Sequence, residues 1–235
     1  MPLQEAPEIL ALPHGPAAVH WRRNRRARRI SLRIDPRSGT VVVTLPPRAG
    51  RGAGMALLMD HAAWVAERLA ALPSALCFAD GIAVPIDGLP HRICHRPHAA
   101  GGAWIEPGAL CVTGDRAFLA RRVGDFLRAE ARRRFVPLVA AKASAAGLPM
   151  PRRVSVKDTR SRWGSCSPDG SLAFSWRLVM APPFVQDYVA AHEVAHLRHM
   201  NHGPRFWSLV GTLAPQAGAA MAWLRQEGPT LLRIG

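Results

Sequence analysis

Three histidines and one glutamate occupy a short segment in the last quarter of the chain. His192 and His196 enclose Glu193 in the sequence HEVAH, and His202 follows six residues after His196. Residues four apart lie on the same side of a helix, so the first two imidazoles can bind one metal ion. With His202 as a third ligand, zinc keeps one position open for water, and Glu193 can accept a proton from that water. The spacing therefore predicts one Zn²⁺ ion and hydrolytic chemistry.

A helix that begins near Pro183 is predicted to carry the first two histidines. Its apolar residues recur at steps of three and four and continue into the histidine pair. Asn201 and Gly203 permit a left-handed turn, which we expect to end the helix and to bring His202 back toward the other two rings. His199 is the alternative third ligand, but on a continued helix its ring would project along the helix face rather than across the metal.

Several segments around the histidines occur in the order typical of one protein family. They are Arg162-Trp163-Gly164-Ser165-Cys166, Phe174-Ser175-Trp176-Arg177-Leu178, Asp187-Tyr188-Val189, HEVAH, and Asn201-His202 with Phe206-Trp207. The sequence resembles the YgjP-like family of zinc metallopeptidases, which is related to the SprT-like and WLM proteases, some of which cleave proteins crosslinked to DNA. The resemblance is strongest over residues 154–207. It implies a minimal gluzincin-like catalytic core in which His192, His196 and His202 bind zinc and Glu193 is the general base.

The fold class expected from the periodicity and the resemblance together is α+β. A small β-rich amino-terminal module with one helix, residues 1–112, would precede a zincin-like metallopeptidase domain of helices and sheet, residues 113–235. In the first module, alternating residues 30–34 and 41–45 around a Pro- and Gly-containing turn predict a β-hairpin. Helical spacing over residues 55–72 predicts an amphipathic helix with Trp64 in the core, and short strands are expected at 82–86 and 109–112.

The second half is expected to begin with a long helix over residues 116–146, which Pro137 should kink or split. Strands are predicted at 153–157 and 172–178, beside the zinc helix. An extended peptide can pair with the edge of a strand, and Ser171 to Leu178 is the candidate for that role, although these residues could equally be sheet core.

Several other residues could contribute to chemistry near the site. Arg160 or Arg162 could bind a substrate carboxylate or carbonyl, or could pair with Asp158 or Asp187. Cys166 is interpreted as a structural thiol rather than a nucleophile, because a complete zinc apparatus lies nearby.

Aromatic residues near the histidines have two interpretations. Tyr188 could hydrogen-bond a ligand or a developing oxyanion, or could simply pack in the core. Phe206 and Trp207 are expected to pack behind the ligand helix and to hold His202 in place. A separate group, His91, Cys94, His95 and His98, is more typical of a surface strand and loop than of a second metal site.

Composition favours a folded protein without a membrane span. The chain has 235 residues, of which 49% are hydrophobic, and no apolar run approaches the roughly 18 to 20 residues that cross a bilayer. The amino-terminal segment carries acidic residues where a signal peptide would be basic. Four cysteines without a CxxC pair favour reduced thiols. A cytoplasmic location without membrane contact is therefore expected.

The charge pattern raises the question of nucleic acid. The formal net charge is +15, and the densest patch holds six arginines between Arg22 and Arg29, with Trp21 beside them. DNA or RNA could contact this patch. Some of these arginines could equally line the solvated face of a strand.

The function expected from these residues is zinc-dependent hydrolysis of a protein or peptide substrate, with Glu193 as general base. Two alternatives stay open. The zinc could be structural in a basic nucleic-acid-associated protein, or the enzyme could hydrolyse something other than peptides.

Overall fold

The computed structural model describes residues 6–159 and 162–235. The chain divides into two compact units, residues 1–74 and residues 75–235. Each unit has its own hydrophobic cluster. The division falls between Ser74 and Ala75, earlier than the boundary expected after residue 112. Strands formed by residues 83–112 contribute Val84, Ile93 and Leu110 to the same core as the helix that carries the histidines, so these strands belong to the second unit.

The first unit is built on a mixed four-stranded sheet. Its strands are β1 (Glu8–Leu12), β2 (Gly15–Arg23), β3 (Ser31–Asp35) and β4 (Thr40–Leu45), in the order β1-β2-β4-β3. The predicted hairpin is confirmed, because β3 and β4 are antiparallel with Asp35 opposite Thr40. Gly39 has φ +69°, a left-handed conformation that glycine adopts without strain, and it closes the turn.

Two helices follow where one was predicted. They are α1 (Arg51–Asp60) and α2 (Ala62–Ala70), separated at His61, whose backbone leaves the helical region with φ −109° and ψ +16°. The His61 ring also approaches the Leu57 carbonyl. Leu58 and Val65 are buried as expected, but Trp64 is 36% exposed, so its predicted place in the core is wrong.

The second unit contains two sheets. The first consists of β5 (Ala83–Ile86), β6 (Leu89–His95), β7 (Ala103–Glu106) and β8 (Ala109–Val112), in the order β5-β6-β8-β7. Its pairing repeats that of the first unit, two hairpins joined through a parallel central pair. The second sheet consists of β9 (Arg153–Lys157), β10 (Gly164–Cys166) and β11 (Ser171–Ser175), in the order β10-β11-β9.

Five helices complete the second unit as far as it is described. They are α3 (Leu119–Ala145), α4 (Pro183–Ala195), α5 (Pro204–Leu213), α6 (Ala217–Gln226) and α7 (Gly228–Leu232). The predicted long helix is present as α3 after a short 3₁₀ turn, and it continues through Pro137 without being split. The predicted strand over 172–178 is shorter than expected, because residues Trp176–Met180 form a 3₁₀ turn.

The core of the second unit joins α3, α4 and the sheets. Phe135 of α3 stacks on Phe174 of β11 with ring centroids 4.6 Å apart, and both side chains are fully buried. The architecture is a mixed α+β fold. No helix in the described part of the chain combines the length and apolar character needed to cross a bilayer.

Candidate metal centre

Helix α4 places His192 and Glu193 at the end of a buried segment. Most side chains of this helix are buried, because it packs against α3, α5, α6 and β10. His196 directly follows the last residue of the helix, and its backbone keeps helical angles of φ −66° and ψ −20°. The two imidazoles therefore stay four residues apart on one face, as their spacing predicts.

His202 reaches the other two histidines through a loop that differs from the predicted one. Helix α4 ends at Ala195, and His199 N–H donates to the Ala195 carbonyl at 2.9 Å, which prolongs the last turn. The left-handed turn predicted at Asn201 or Gly203 is wrong: Gly203 has φ −77°, and Asp87 is the only non-glycine residue with positive φ in the described ranges.

The structure brings the three histidines together. One ligand nitrogen from each of His192, His196 and His202 lies within 4.8 Å of the others. The Nε2 atoms of His192 and His202 are 3.2 Å apart, close to the roughly 3.3 Å between two nitrogens that bind one tetrahedral zinc ion.

Hydrogen bonds on the far side of the rings fix their orientation. The Nδ1–H of His196 donates to the backbone carbonyl of His199 at 3.0 Å, which leaves the Nε2 lone pair free. The Nδ1 atom of His192 lies 3.4 Å from the Tyr188 hydroxyl. His199 thus contributes its backbone to the centre, while its ring lines a different surface hollow with Arg198.

Burial favours the neutral imidazoles of His192 and His196. It lowers the pKa of His192 to about 4, and the neighbouring histidines add to the effect. Burial also lowers the pKa of His196, partly offset by the hydrogen bond to the His199 carbonyl. Neutral imidazole is the form that binds a metal ion.

Glu193, which follows His192 on α4, is buried with little to compensate its charge. The residue is 5% exposed, and its Oε2 atom has no hydrogen-bond partner among the described residues. Burial raises the pKa of Glu193 to about 7, and the positive charge of Arg162 acts in the opposite direction. A β-carbon added at Gly164 would lie 2.6 Å from Glu193 Cγ and 2.7 Å from Cδ, so β10 packs directly on this carboxyl group.

The sheet edge beside the centre belongs to β10. Strand β11 lies in the middle of its sheet, paired with both β9 and β10, so the proposed role of Ser171 to Leu178 as a free edge is wrong. The Trp163 carbonyl and the Ser167 N–H bond to β11. Because bonding alternates along an antiparallel strand, the N–H and C=O groups of Gly164 and Cys166 point to the open edge.

A family model described as the YgjP-like metallopeptidase domain matches residues 28–227. The chain belongs to this YgjP-like family. Membership supports a zinc-dependent peptidase that acts on proteins or peptides, and it implies a bound metal ion, usually zinc. Comparison with curated proteins and with solved structures gives no significant match.

Arg162 lies close enough to Glu193 to act on its charge, but it forms no ion pair with an acidic side chain among the described residues. The two carboxylates considered for it are engaged elsewhere: Asp158 binds Arg177 at 2.5 Å, and Asp187 binds Lys142 at 2.6 Å. Arg162 is exposed, and its charge acts on Glu193. Arg160 lies outside the described residues.

Cys166 occupies the same face of β10 as Gly164. Burial raises the pKa of its thiol, and the charge of Glu193 raises it further. A protonated thiol is a poor nucleophile, in keeping with the structural role expected for Cys166.

Two other groups of candidate residues were identified in the sequence, one between His91 and His98 and one between Arg22 and Arg29. Within the described ranges, one cluster contains at least three potential metal ligands, and it consists of His192, His196 and His202. The residues from His91 to His98 form no such cluster.

Six exposed arginines lie at the end of β2 and in the loop that follows it. Trp21 beside them donates to Glu8 and stacks under Arg51 at 4.8 Å, and the family match adds no support for nucleic-acid contact.

Proposed function

We propose that the protein is a zinc-dependent metallopeptidase in which His192, His196 and His202 hold one Zn²⁺ ion and Glu193 is the general base. The observation that carries the proposal is a single convergence at the end of α4. Three imidazole nitrogens meet there, and Glu193, the residue after His192 on the same helix, has a buried carboxylate oxygen without a partner in the described part of the chain. In this zincin-like arrangement one helix supplies two ligands and the base.

The residues present fit a zinc ion. Zinc prefers imidazole nitrogens in tetrahedral geometry, and three protein ligands are typical of catalytic rather than structural sites. The His199 carbonyl and the Tyr188 hydroxyl hold the outer nitrogens of His196 and His192, as in most histidine metal ligands. Zinc bound there would lower the pKa of its water to about 7 and polarise a peptide carbonyl.

Glu193 would move one proton during hydrolysis. As the water oxygen bonds to the carbonyl carbon, the Glu193 carboxylate accepts a proton from the water. It then delivers that proton to the amide nitrogen as the carbon–nitrogen bond breaks, which produces a carboxylic acid and an amine. The acid then loses its remaining proton to the amine or to solvent and becomes a carboxylate. The same carboxyl group serves both steps and returns to its ionised form.

The substrate main chain would lie along the free edge of β10. Gly164 and Cys166 offer backbone donors and acceptors there, and an extended peptide can add to such an edge as a further strand. Since Gly164 packs on Glu193, a peptide on this edge passes next to the general base. This pairing favours peptides over other substrates of a zinc hydrolase, because it recognises a repeating amide backbone.

A Glu193→Gln variant tests the proposal. It keeps the shape of the side chain and removes the base, so we expect zinc content to stay at one per chain while cleavage of an unfolded protein such as casein falls about 10²- to 10⁴-fold. Metal analysis and a fluorescent casein assay measure the two quantities. His202→Ala should lose zinc and activity together.

A matched control is Glu67→Gln, which changes an exposed glutamate in the first unit and should leave both quantities unchanged. Wild-type cleavage by zinc-loaded Glu193→Gln would refute the assignment of the base. A zinc-loaded wild-type protein that cleaves no peptide bond would favour a structural ion or a non-peptide substrate.

A further inference from the structure

Two adjacent aromatic residues of α5 meet the histidine centre in different ways. Phe206 is fully buried, and its ring centroid lies 4.5 to 4.9 Å from the rings of all three histidines. Trp207 is 39% exposed, and its ring lies 5.9 Å from those of His192 and His202. The expectation that both residues pack behind the ligands therefore fits Phe206 better than Trp207.

Trp207 and His202 are the solvent-exposed rings of this aromatic group, whereas Phe206 is shielded from solvent. The Trp207 ring is inclined by 32° to the His202 ring and stands nearly edge-on to Phe206 at 85°. Phe206 thus packs against all three imidazoles away from solvent, and the indole leaves part of its surface exposed next to His192 and His202.

The exposed indole is a large apolar surface next to polar groups. Burial of such a surface against another apolar group is favourable by roughly 25 cal/mol per Å², and aromatic pairs gain further from stacked or edge-on contact. The backbone edge of β10 can hold a peptide but cannot select its side chains, because every residue offers the same amide. Selection therefore needs a side-chain contact near the reacting bond.

We propose that Trp207 is a specificity-determining residue that receives an apolar or aromatic substrate side chain next to the scissile bond. The inference rests on the proposed peptidase function and extends it to a substrate class. Peptides with Phe or Leu at this position would be preferred over peptides with Gly or Asp.

Paired peptides test the preference. Internally quenched hexapeptides that differ only in Phe or Gly at one position beside the cleaved bond give kcat/KM for each protein variant. In Trp207→Ala, we expect kcat/KM to fall at least tenfold more for the Phe peptide than for the Gly peptide. Trp207→Phe should retain most of the preference, since it keeps an aromatic ring that can contact the substrate side chain.

The matched control is Trp64→Ala, which removes another partly exposed tryptophan, 36% exposed on α2 of the first unit. It should leave the Phe-to-Gly ratio unchanged. Zinc content and zinc affinity are measured for every variant. An unchanged ratio in Trp207→Ala would overturn the inference, and so would a fall in zinc affinity with equal loss for both peptides, because Trp207 would then only support His202.

A binding measurement separates this inference from the proposed function. Calorimetric titration of zinc-loaded Glu193→Gln with the same two peptides needs no turnover, and it is repeated with Trp207→Ala added. Loss of the Phe preference in the double variant supports the role of Trp207 even if the wild type cleaves neither peptide. Equal affinity of Glu193→Gln for both peptides would overturn it.

Discussion

The close contact between Gly164 and Glu193 makes Gly164→Ala a sharp test of the centre. An alanine β-carbon would lie 2.6 Å from Glu193 Cγ and 2.7 Å from Cδ, whereas carbon atoms pack at about 3.5 to 4.0 Å. The Glu193 side chain must therefore move by about 1 Å. Such overpacking typically costs about 1 to 3 kcal/mol of stability, and a displacement of this size can lower a catalytic rate about 10²-fold.

The expected result is a folded, zinc-loaded protein with kcat/KM reduced about 100-fold on a quenched peptide. Metal analysis and thermal unfolding show whether the site and the fold survive. Gly211→Ala in α5 is the matched control, because its β-carbon would meet nothing within 4 Å. That control should gain about 0.5 to 1 kcal/mol of stability and keep its activity. If Gly164→Ala retains wild-type kcat/KM at full zinc loading, the packing of β10 does not position Glu193.

Three further variants probe other contacts. Tyr188→Phe removes the hydroxyl near His192 Nδ1 and should weaken zinc binding about tenfold in a chelator competition; unchanged affinity would show that Tyr188 only packs. Arg162→Ala removes the cation that acts on Glu193 and should lower kcat/KM about 10- to 100-fold with zinc retained, with partial recovery in Arg162→Lys. Glu130→Gln should cost about 1 to 2 kcal/mol in urea unfolding at pH 7. The hydrogen bond from Arg133 lowers the pKa of Glu130 below its usual 4.5, so its contribution is complete above that pH and is lost as pH falls through the lower folded value. A Glu130→Gln difference that persists undiminished at pH 3 would contradict this assignment.

The elements that carry the histidines could be predicted because their signals are local. The start of α4 at Pro183 and the hairpin of β3 and β4 follow from residue spacing within windows of about a dozen residues. The gathering of His192 and His196 needs only the helical repeat. The approach of His202 was also predicted, but by a turn that the chain does not form: the loop after Ala195 returns without a left-handed residue.

Sheet neighbours could not be predicted in the same way. Strand β10 has three residues, too few for an alternating pattern to be recognised, so β11 was taken as an edge when it is central. The contact between Gly164 and Glu193 joins positions 29 residues apart in sequence, and nothing in the composition of either segment specifies it. A glycine in a strand was the one available signal, since it often marks a close approach of another group.

The division of the chain between Ser74 and Ala75 has a related explanation. Residues 83–112 and residues 8–45 form sheets with the same pairing order. Short apolar segments predict strands but not which core receives their buried face. Val84 and Ile93 pack with the α3 and α4 core, a choice that depends on tertiary contacts.

The burial of Glu193 lowers the stability of the fold, and the proposed role of Glu193 as general base explains why a carboxyl group is buried there. A pKa raised from 4.5 to about 7 means that the ionised carboxyl disfavours folding by about 3 kcal/mol, comparable to a large fraction of the stability of an ordinary domain. A core built only for stability would place an apolar side chain at this position, as it does at the neighbouring Val194. The half-buried rings of His192 and His196 are likewise disfavoured in their charged forms. A divalent cation is the partner that suits both, because it binds neutral imidazole and favours the ionised carboxylate. Glu193 therefore weakens the metal-free fold at neutral pH, and a bound metal ion would stabilise its ionised form.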